Sequence, residues 1–143
     1  MNTVGHIIPY LAGIIDGEGC ITSVNRKPHG REKTNRVRVV LAVSMTDRKP
    51  LDLRTRPNSK PMFRWSLWGK SAIRCIQVLR PYLLVKSLQA DLAMQAGVVL
   101  QQALETRYES GRTGSQITSP QTLNRLYLIH NQIHNLNRKG IAL

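Results

Sequence analysis

The ten residues "RVRVVLAVSM", Arg36 to Met45, leave little freedom in what they can form. Side chains alternate across a strand, so Val37, Val39, Leu41, Val43 and Met45 share one face. Arg36, Arg38, Val40, Ala42 and Ser44 share the other. The first row suits a core. The second opens on two arginines, each suited to a phosphate or a guanine edge. A chain containing this stretch needs a sheet with one side buried and the other basic.

"MFRWSLWG" repeats the alternation, setting Phe63, Trp65 and Leu67 against Arg64, Ser66 and Trp68. An arginine again shares a face with a hydroxyl. Trp68, at the strand end, is expected in the core. "CITSVNR", 20–26, is a further strand, and "RTRPNSKP" reads as a strand end and turn. Helices are expected over 9–16, with Pro9 in the first turn and Gly17 ending it. Another follows a Ser71 cap and breaks near Pro81. A longer one over 86–108 carries Leu88, Leu92, Ala96, Val99 and Ala103 on its apolar stripe. A C-terminal helical tail spans 119–138, with Leu123, Leu126, Tyr127, His130 and Ile133 on one face. A short helical turn is expected after Thr46, and "ESGRTGSQIT" reads as a linker. The order gives one α+β domain over 1–143, with one antiparallel sheet.

Charge is concentrated where the strands are. Of the net +13, sixteen lysines and arginines between Arg26 and Lys86 face only Glu32, Asp47 and Asp52. A basic surface so localised implies a polyanion partner. No apolar run approaches the roughly 20 residues of a membrane span, so no membrane partner is expected. "MNTVGHIIPY" lacks the pattern of a secretory signal, and Cys20 and Cys75 form neither a disulfide framework nor a zinc spacing. An intracellular setting follows as an expectation. His6, His29, His130 and His134 make no coherent metal set, because no acid stands near the i, i+4 pair His130 and His134.

One placement runs against helix electrostatics. "YLAGIIDGEGCI" sets Asp16 and Glu18, two of only eight acids in the chain, at the C-terminal end of an apolar helix. That end carries partial negative charge and disfavours carboxylates. Either the acids belong to a tight Gly-rich turn, or they await something positive.

"LAGIIDGEG", Leu11 to Gly19, resembles the LAGLIDADG motif of homing endonucleases, with Ile14, Gly17 and Glu18 as departures. "VSMTD", "FRWSLWG", "LRPYLLVKSLQA" and "SPQTLNRLYLIHNQIHNLNRKG" are similar to later blocks of that family, in the same order. The resemblance implies a curved four-stranded antiparallel sheet with helices on one face, an αββαββα core plus C-terminal helices. It implies a site-specific, Mg²⁺-dependent double-strand DNA endonuclease, with Mn²⁺ as a substitute and no small-molecule cofactor. A single motif implies a homodimer whose motif helices meet across a two-fold axis, through Leu11, Ala12, Gly13, Ile15 and Asp16.

The same resemblance assigns metal binding to Glu18 and the Gly17 carbonyl, and catalytic roles to Glu18, Asp47 and Lys86. Asp16 more often supports the helix end, and Arg48 is a lower-ranked candidate. Read as residues alone, Asp47 also suits the N-cap of a short helix, and Lys86 also suits a solvated helix start. DNA would lie against the basic sheet face, touching Thr22, Val24, Arg26, Arg36, Arg38, Val40, Ser44, Arg64 and Ser66, flanked by Arg54 and Arg56. Arg26, Lys27, Arg31 and Lys33 would reach along the duplex. The charged sheet also suits an RNA-splicing maturase or a non-catalytic DNA-binding protein. Replacing Arg38 by alanine is expected to weaken discrimination at one symmetric pair of target positions by about 1–3 kcal/mol. Competition binding against single-position site variants reads this directly, and uniform loss on every variant makes Arg38 a phosphate clamp.

Overall fold

The computed structural model describes residues 4–30, 34–45, 63–109 and 119–139. Asp47, Arg48, Arg54, Arg56, Arg31, Lys33, the turn expected after Thr46, the fourth strand and the 109–118 linker beyond Glu109 lie outside the described residues. Helix α1 spans Val4–Glu18, strand β1 Gly19–Arg26, strand β2 Arg36–Met45 and strand β3 Phe63–Trp68. Helix α2 covers Lys70–Leu79, a 3-10 turn Arg80–Tyr82, helix α3 Ser87–Glu109 and helix α4 Pro120–Lys139. The described strands pair antiparallel in the order β1-β2-β3.

Helix α1 is longer than its sequence suggests, and Pro9 lies inside it. A proline ring inside a helix crowds the carbonyl four residues back and removes a hydrogen bond. Here that residue is Gly5, and both Gly5 and Pro9 are exposed, so the defect faces solvent. Nor does Gly17 end the helix; the chain turns at Gly19. A Cβ there would stand 2.7 Å from both Cα and O of Ile15, so only glycine lets β1 leave so tightly.

The four described helices pack on one side of the sheet. Ile21 of β1, Val37, Val39, Leu41 and Val43 of β2 and part of Leu67 meet Ala12, Ile15, Ile73, Ile76, Leu126 and Ile133 there. The junction from β3 into α2 depends on Gly69, whose φ of 60° favours glycine. Its N–H donates to the Val39 carbonyl at 2.8 Å, which extends the ladder by one residue. Gly69 is the N-cap and no side chain caps α2, so Ser71 sits within the helix instead of starting it.

Two helix faces are set by small residues. The buried side of α3 is Ala90, Ala93, Ala96 and Val99, whereas Leu88, expected inside, is 53% exposed. At Gly97 a Cβ would meet Ile73 Cγ2 at 3.0 Å, so α2 and α3 approach through atoms that are absent. Close packing favours that approach more than it favours burying a bulkier leucine stripe.

Helix α4 starts on a side-chain cap: the Thr122 N–H donates to Ser119 Oγ at 3.2 Å, with Pro120 in the first helical position. It then closes the outer edge of β1. Asn137 Nδ2 donates to the Ile21 carbonyl at 3.1 Å, and His134 Nε2 donates to the Ser23 carbonyl at 2.9 Å. A 2.8 Å hydrogen bond joins the buried Ser23 hydroxyl to His130 Nδ1. Edge carbonyls that would invite another strand are thereby satisfied within the chain.

Burial, reinforced by the charge on His134, holds the His130 imidazole below the usual histidine range. The unfolded chain therefore takes up this proton at higher pH than the folded one. Stability from this group is complete above the ordinary value near 6.5 and declines as pH falls from there toward the lower folded value. Urea unfolding of the protein and its His130→Gln variant between pH 7.5 and 5.5 is expected to show a smaller decline for the variant.

Candidate nucleic-acid interface and helix-end site

The strand register places the expected contact residues on one face, opposite the helices. Arg26 pairs with Arg36, Val24 with Arg38, Val40 with Thr22 and Trp68, Ala42 with Cys20 and Ser66, and Ser44 with Arg64. Val24, Arg26 and Arg64 are exposed; Thr22, Arg36, Arg38, Ser44 and Ser66 are half-buried. Val40 departs from expectation. It faces this side but is 1% exposed, between its register neighbours Thr22 and Trp68, so it lies beneath the surface that the other residues present.

Trp68 is the opposite correction. It lies on the basic face, 49% exposed, and its indole Nε1–H donates to Ser66 Oγ at 3.3 Å. The parity that places Arg64 and Ser66 together also assigns Trp68 to this face. Its hydrophobicity argues for the core, and strand geometry prevails.

At the end of α1 the two acids part company. The Asp16 carboxylate accepts three backbone N–H groups, from Leu84 at 2.7 Å, Val85 at 3.2 Å and Lys86 at 3.0 Å. Lys86 Nζ in turn donates to the Asp16 carbonyl. A carboxylate that suits a helix C-terminus badly is thus held by the donors leading into α3, and the ammonium neutralises one of the terminal carbonyls of α1. The bonds join residues that no local motif connects. Glu18, one half-turn further on, is exposed. Arg80 and Asp91 add a bidentate clasp behind the same turn, at 2.5 and 2.8 Å, and the guanidinium holds the Asp91 carboxyl below its usual range.

The expected partner-facing residues also divide. Leu11 and Gly13 are exposed, together with Ile7 and Tyr10. Ala12 and Ile15 are instead buried in the subunit's own core, because i, i+3 spacing turns them toward the sheet. Asp16 is committed to its own chain. Among the described residues, nothing beyond the helix's own neighbouring backbone lies within 4 Å of a Cβ built at Gly13 or Gly17. Among the described residues no three His, Cys, Asp or Glu side chains gather into a metal site within one chain. The oxygens offered at the helix end are the Glu18 carboxylate and nearby backbone carbonyls, hard donors of the kind Mg²⁺ takes.

Replacing Asp16 by alanine removes a charged acceptor from three N–H groups, of which that of Lys86 is part-buried and the other two exposed, and is expected to cost about 1–2 kcal/mol of folding stability. Asp16→Asn, which keeps one accepting oxygen, falls between the two in denaturant unfolding.

No protein-family model matches the chain, and no curated protein does. Solved structures do. The homing endonuclease I-CvuI, in complex with the I-CreI target in the presence of Mg, aligns with a TM-score of 0.67 at 21% identity, over 91% of this chain and 81% of that one. The archaeal intron-encoded homing endonuclease I-Vdi141I, complexed with DNA, gives 0.67 at 11% identity, over 92% and 84%. The LAGLIDADG homing endonuclease I-SmaMI bound to cleaved DNA gives 0.60 at 12% identity, over 87% of this chain and 42% of that one. At such identities the likeness is one of architecture, and the architecture is the LAGLIDADG homing-endonuclease fold.

Proposed function

We propose that this protein is a homodimeric homing endonuclease that hydrolyses both strands of a long, near-palindromic DNA site in the presence of Mg²⁺, with Mn²⁺ as a substitute. The observation that carries the reading is the division between the acids: three N–H groups hold Asp16, while Glu18 stands exposed where the helix meets the basic sheet. The I-CvuI, I-Vdi141I and I-SmaMI structures, each a homing endonuclease on DNA, support it through their shared fold.

Each chain offers one such carboxylate, so a complete site calls for two. The uncovered apolar face of α1, with Ile7, Tyr10 and Leu11 exposed and open space at Gly13 and Gly17, suits an isologous contact between two copies of that helix. Such a contact brings the two Glu18 side chains together at the axis. Glu18 and the Gly17 carbonyl would hold Mg²⁺ there, and the ion supplies an activated water and charge neutralisation at the phosphodiester. Lys86, held on the Asp16 carbonyl, stands ready to offset negative charge developing on the phosphate. The sheet face orients the duplex: Arg26, Arg36, Arg38 and Arg64 supply phosphate and base contacts, and Thr22, Ser44 and Ser66 supply hydroxyls.

A randomised duplex library, incubated with the protein and Mg²⁺, is expected to yield one long site with internal two-fold symmetry. Glu18→Gln is expected to bind that site with nearly unchanged affinity and to cut it at least about a hundredfold more slowly, since losing a metal ligand should cost no less than the roughly 10–100-fold that follows from losing a group that merely supports one. A variant that nicks at the normal rate removes Glu18 from the chemistry.

A further inference from the structure

The basic face carries an island that phosphate binding does not explain. Trp68 pairs in register with the buried Val40, and exposed Val24 belongs to the next residue pair on that face. Arg38 is the register partner of Val24, Arg36 stands beyond it along the strands, and Arg64 stands on the other side. Exposing an indole between arginines forgoes burial of one of the largest apolar side chains, a loss that a surface meeting only phosphates would not offset. The chain has only two tryptophans, and one stands here.

We propose that Trp68 and Ser66 together read a thymine in the major groove. The inference rests on the DNA-binding reading above and goes beyond it by assigning a base to a pair of side chains. Thymine is distinguished on its major-groove edge by two adjacent features, the O4 acceptor and the C5 methyl group. The pair offers the complement of both. The Trp68 N–H donates to Ser66 Oγ at 3.3 Å, which ties the indole to its neighbour two residues back on the same face. Since Ser66 accepts there, its own O–H is left to donate, and O4 is an acceptor. The indole surface beside it meets the methyl. Uracil keeps O4 and lacks the methyl, so the pair also favours DNA over RNA of the same sequence.

The test uses the full chain and the duplex it selects from the randomised library. Each thymine in one half-site is replaced in turn by uracil, which removes one methyl and preserves base pairing. Binding is measured at fixed salt for the protein, for Trp68→Ala and for Trp68→Phe. At one thymine the substitution is expected to weaken the unaltered protein about fourfold, the value of one methyl group withdrawn from water. Trp68→Ala should bind the thymine and uracil duplexes equally, while Trp68→Phe retains part of the difference. A residue that merely covers Val40 would lower affinity for both duplexes alike and leave their ratio intact. Indifference of the unaltered protein to every uracil, or a ratio that survives Trp68→Ala, overturns the assignment while DNA binding stands. Failure to select any duplex overturns the DNA-binding reading and the assignment with it, as would tighter binding to the same sequence as RNA.

Discussion

The Asp16 carboxylate holds the end of α1 against the turn that leads into α3, and both ends of the candidate site take their positions from it. Helix C-termini repel carboxylates, and α1 has no basic residue in its last turn with which to offset that cost. This chain supplies the offset from residues 84–86, where three N–H groups converge on one side chain and an ammonium covers the carbonyl of the same residue. One junction fixes where α1 stops, where α3 starts and where Lys86 rests. Glu18 inherits its location from the same junction without contributing to it. A single acid could not both anchor the helix and remain exposed, which gives a physical reason for two acids one residue apart.

Much of this is legible in the amino-acid sequence. The parity of Arg36–Met45 and Phe63–Trp68 determines the two sheet faces, because period-two alternation leaves no choice once one row is apolar. The α+β order, the single sheet and the extent of α3 and α4 follow from the same kind of pattern. The departures share a cause. Pro9 reads as a helix start because the tolerance of a solvent-facing proline depends on Gly5 and on which way the helix turns. Leu88 reads as core when hydrophobicity is weighed without the close α2–α3 approach that Gly97 permits. The resemblance assigns Ala12 and Ile15 to a partner's helix, yet they belong to the subunit's own core. The partners of Asp16 lie about seventy residues away in sequence, and local pattern carries no sign of them. Trp68 is more instructive, since its parity already points to the basic face and only its residue type points inward. Fine geometry at a strand end is better argued from register than from hydrophobicity.

The sheet explains how so basic a chain remains folded. Its arginines are gathered on one surface and its apolar residues beneath, and β2 is buried on both sides at Val39 to Val43. Helix α4 completes the arrangement at the free edge of β1 by supplying Asn137 and His134 to carbonyls that would otherwise be open. Ser23 links that edge inward through His130. The polar groups at this seam are nearly all paired; among the described residues Gln89 Oε1 is the buried side-chain oxygen without a partner, although its amide nitrogen reaches Asn137 Oδ1 at 3.5 Å. A satisfied edge keeps the sheet from extending sideways and directs its one open surface outward.

That open surface and the helix end are not independent. β1 leaves α1 at Gly19 with no intervening loop, so the first residues of the sheet face are covalently adjacent to Glu18. On the proposed function, a duplex seated on the sheet would be registered against the acid by a few backbone bonds and not by a flexible connection. The tight exit at Gly19 sets that registration, because any side chain there would push the strand away from Ile15. Reading and cutting, on the proposed function, then share a rigid frame: the arginine rows and the Trp68 island fix which bases lie along the strands, and their distance from Gly19 fixes which phosphate lies over the carboxylate. On the same proposal, pairing two such frames through the uncovered face of α1 would double the reading surface and set two acids side by side. Specificity and cleavage position, as proposed, would then follow from one geometry, laid down where a helix runs directly into a strand.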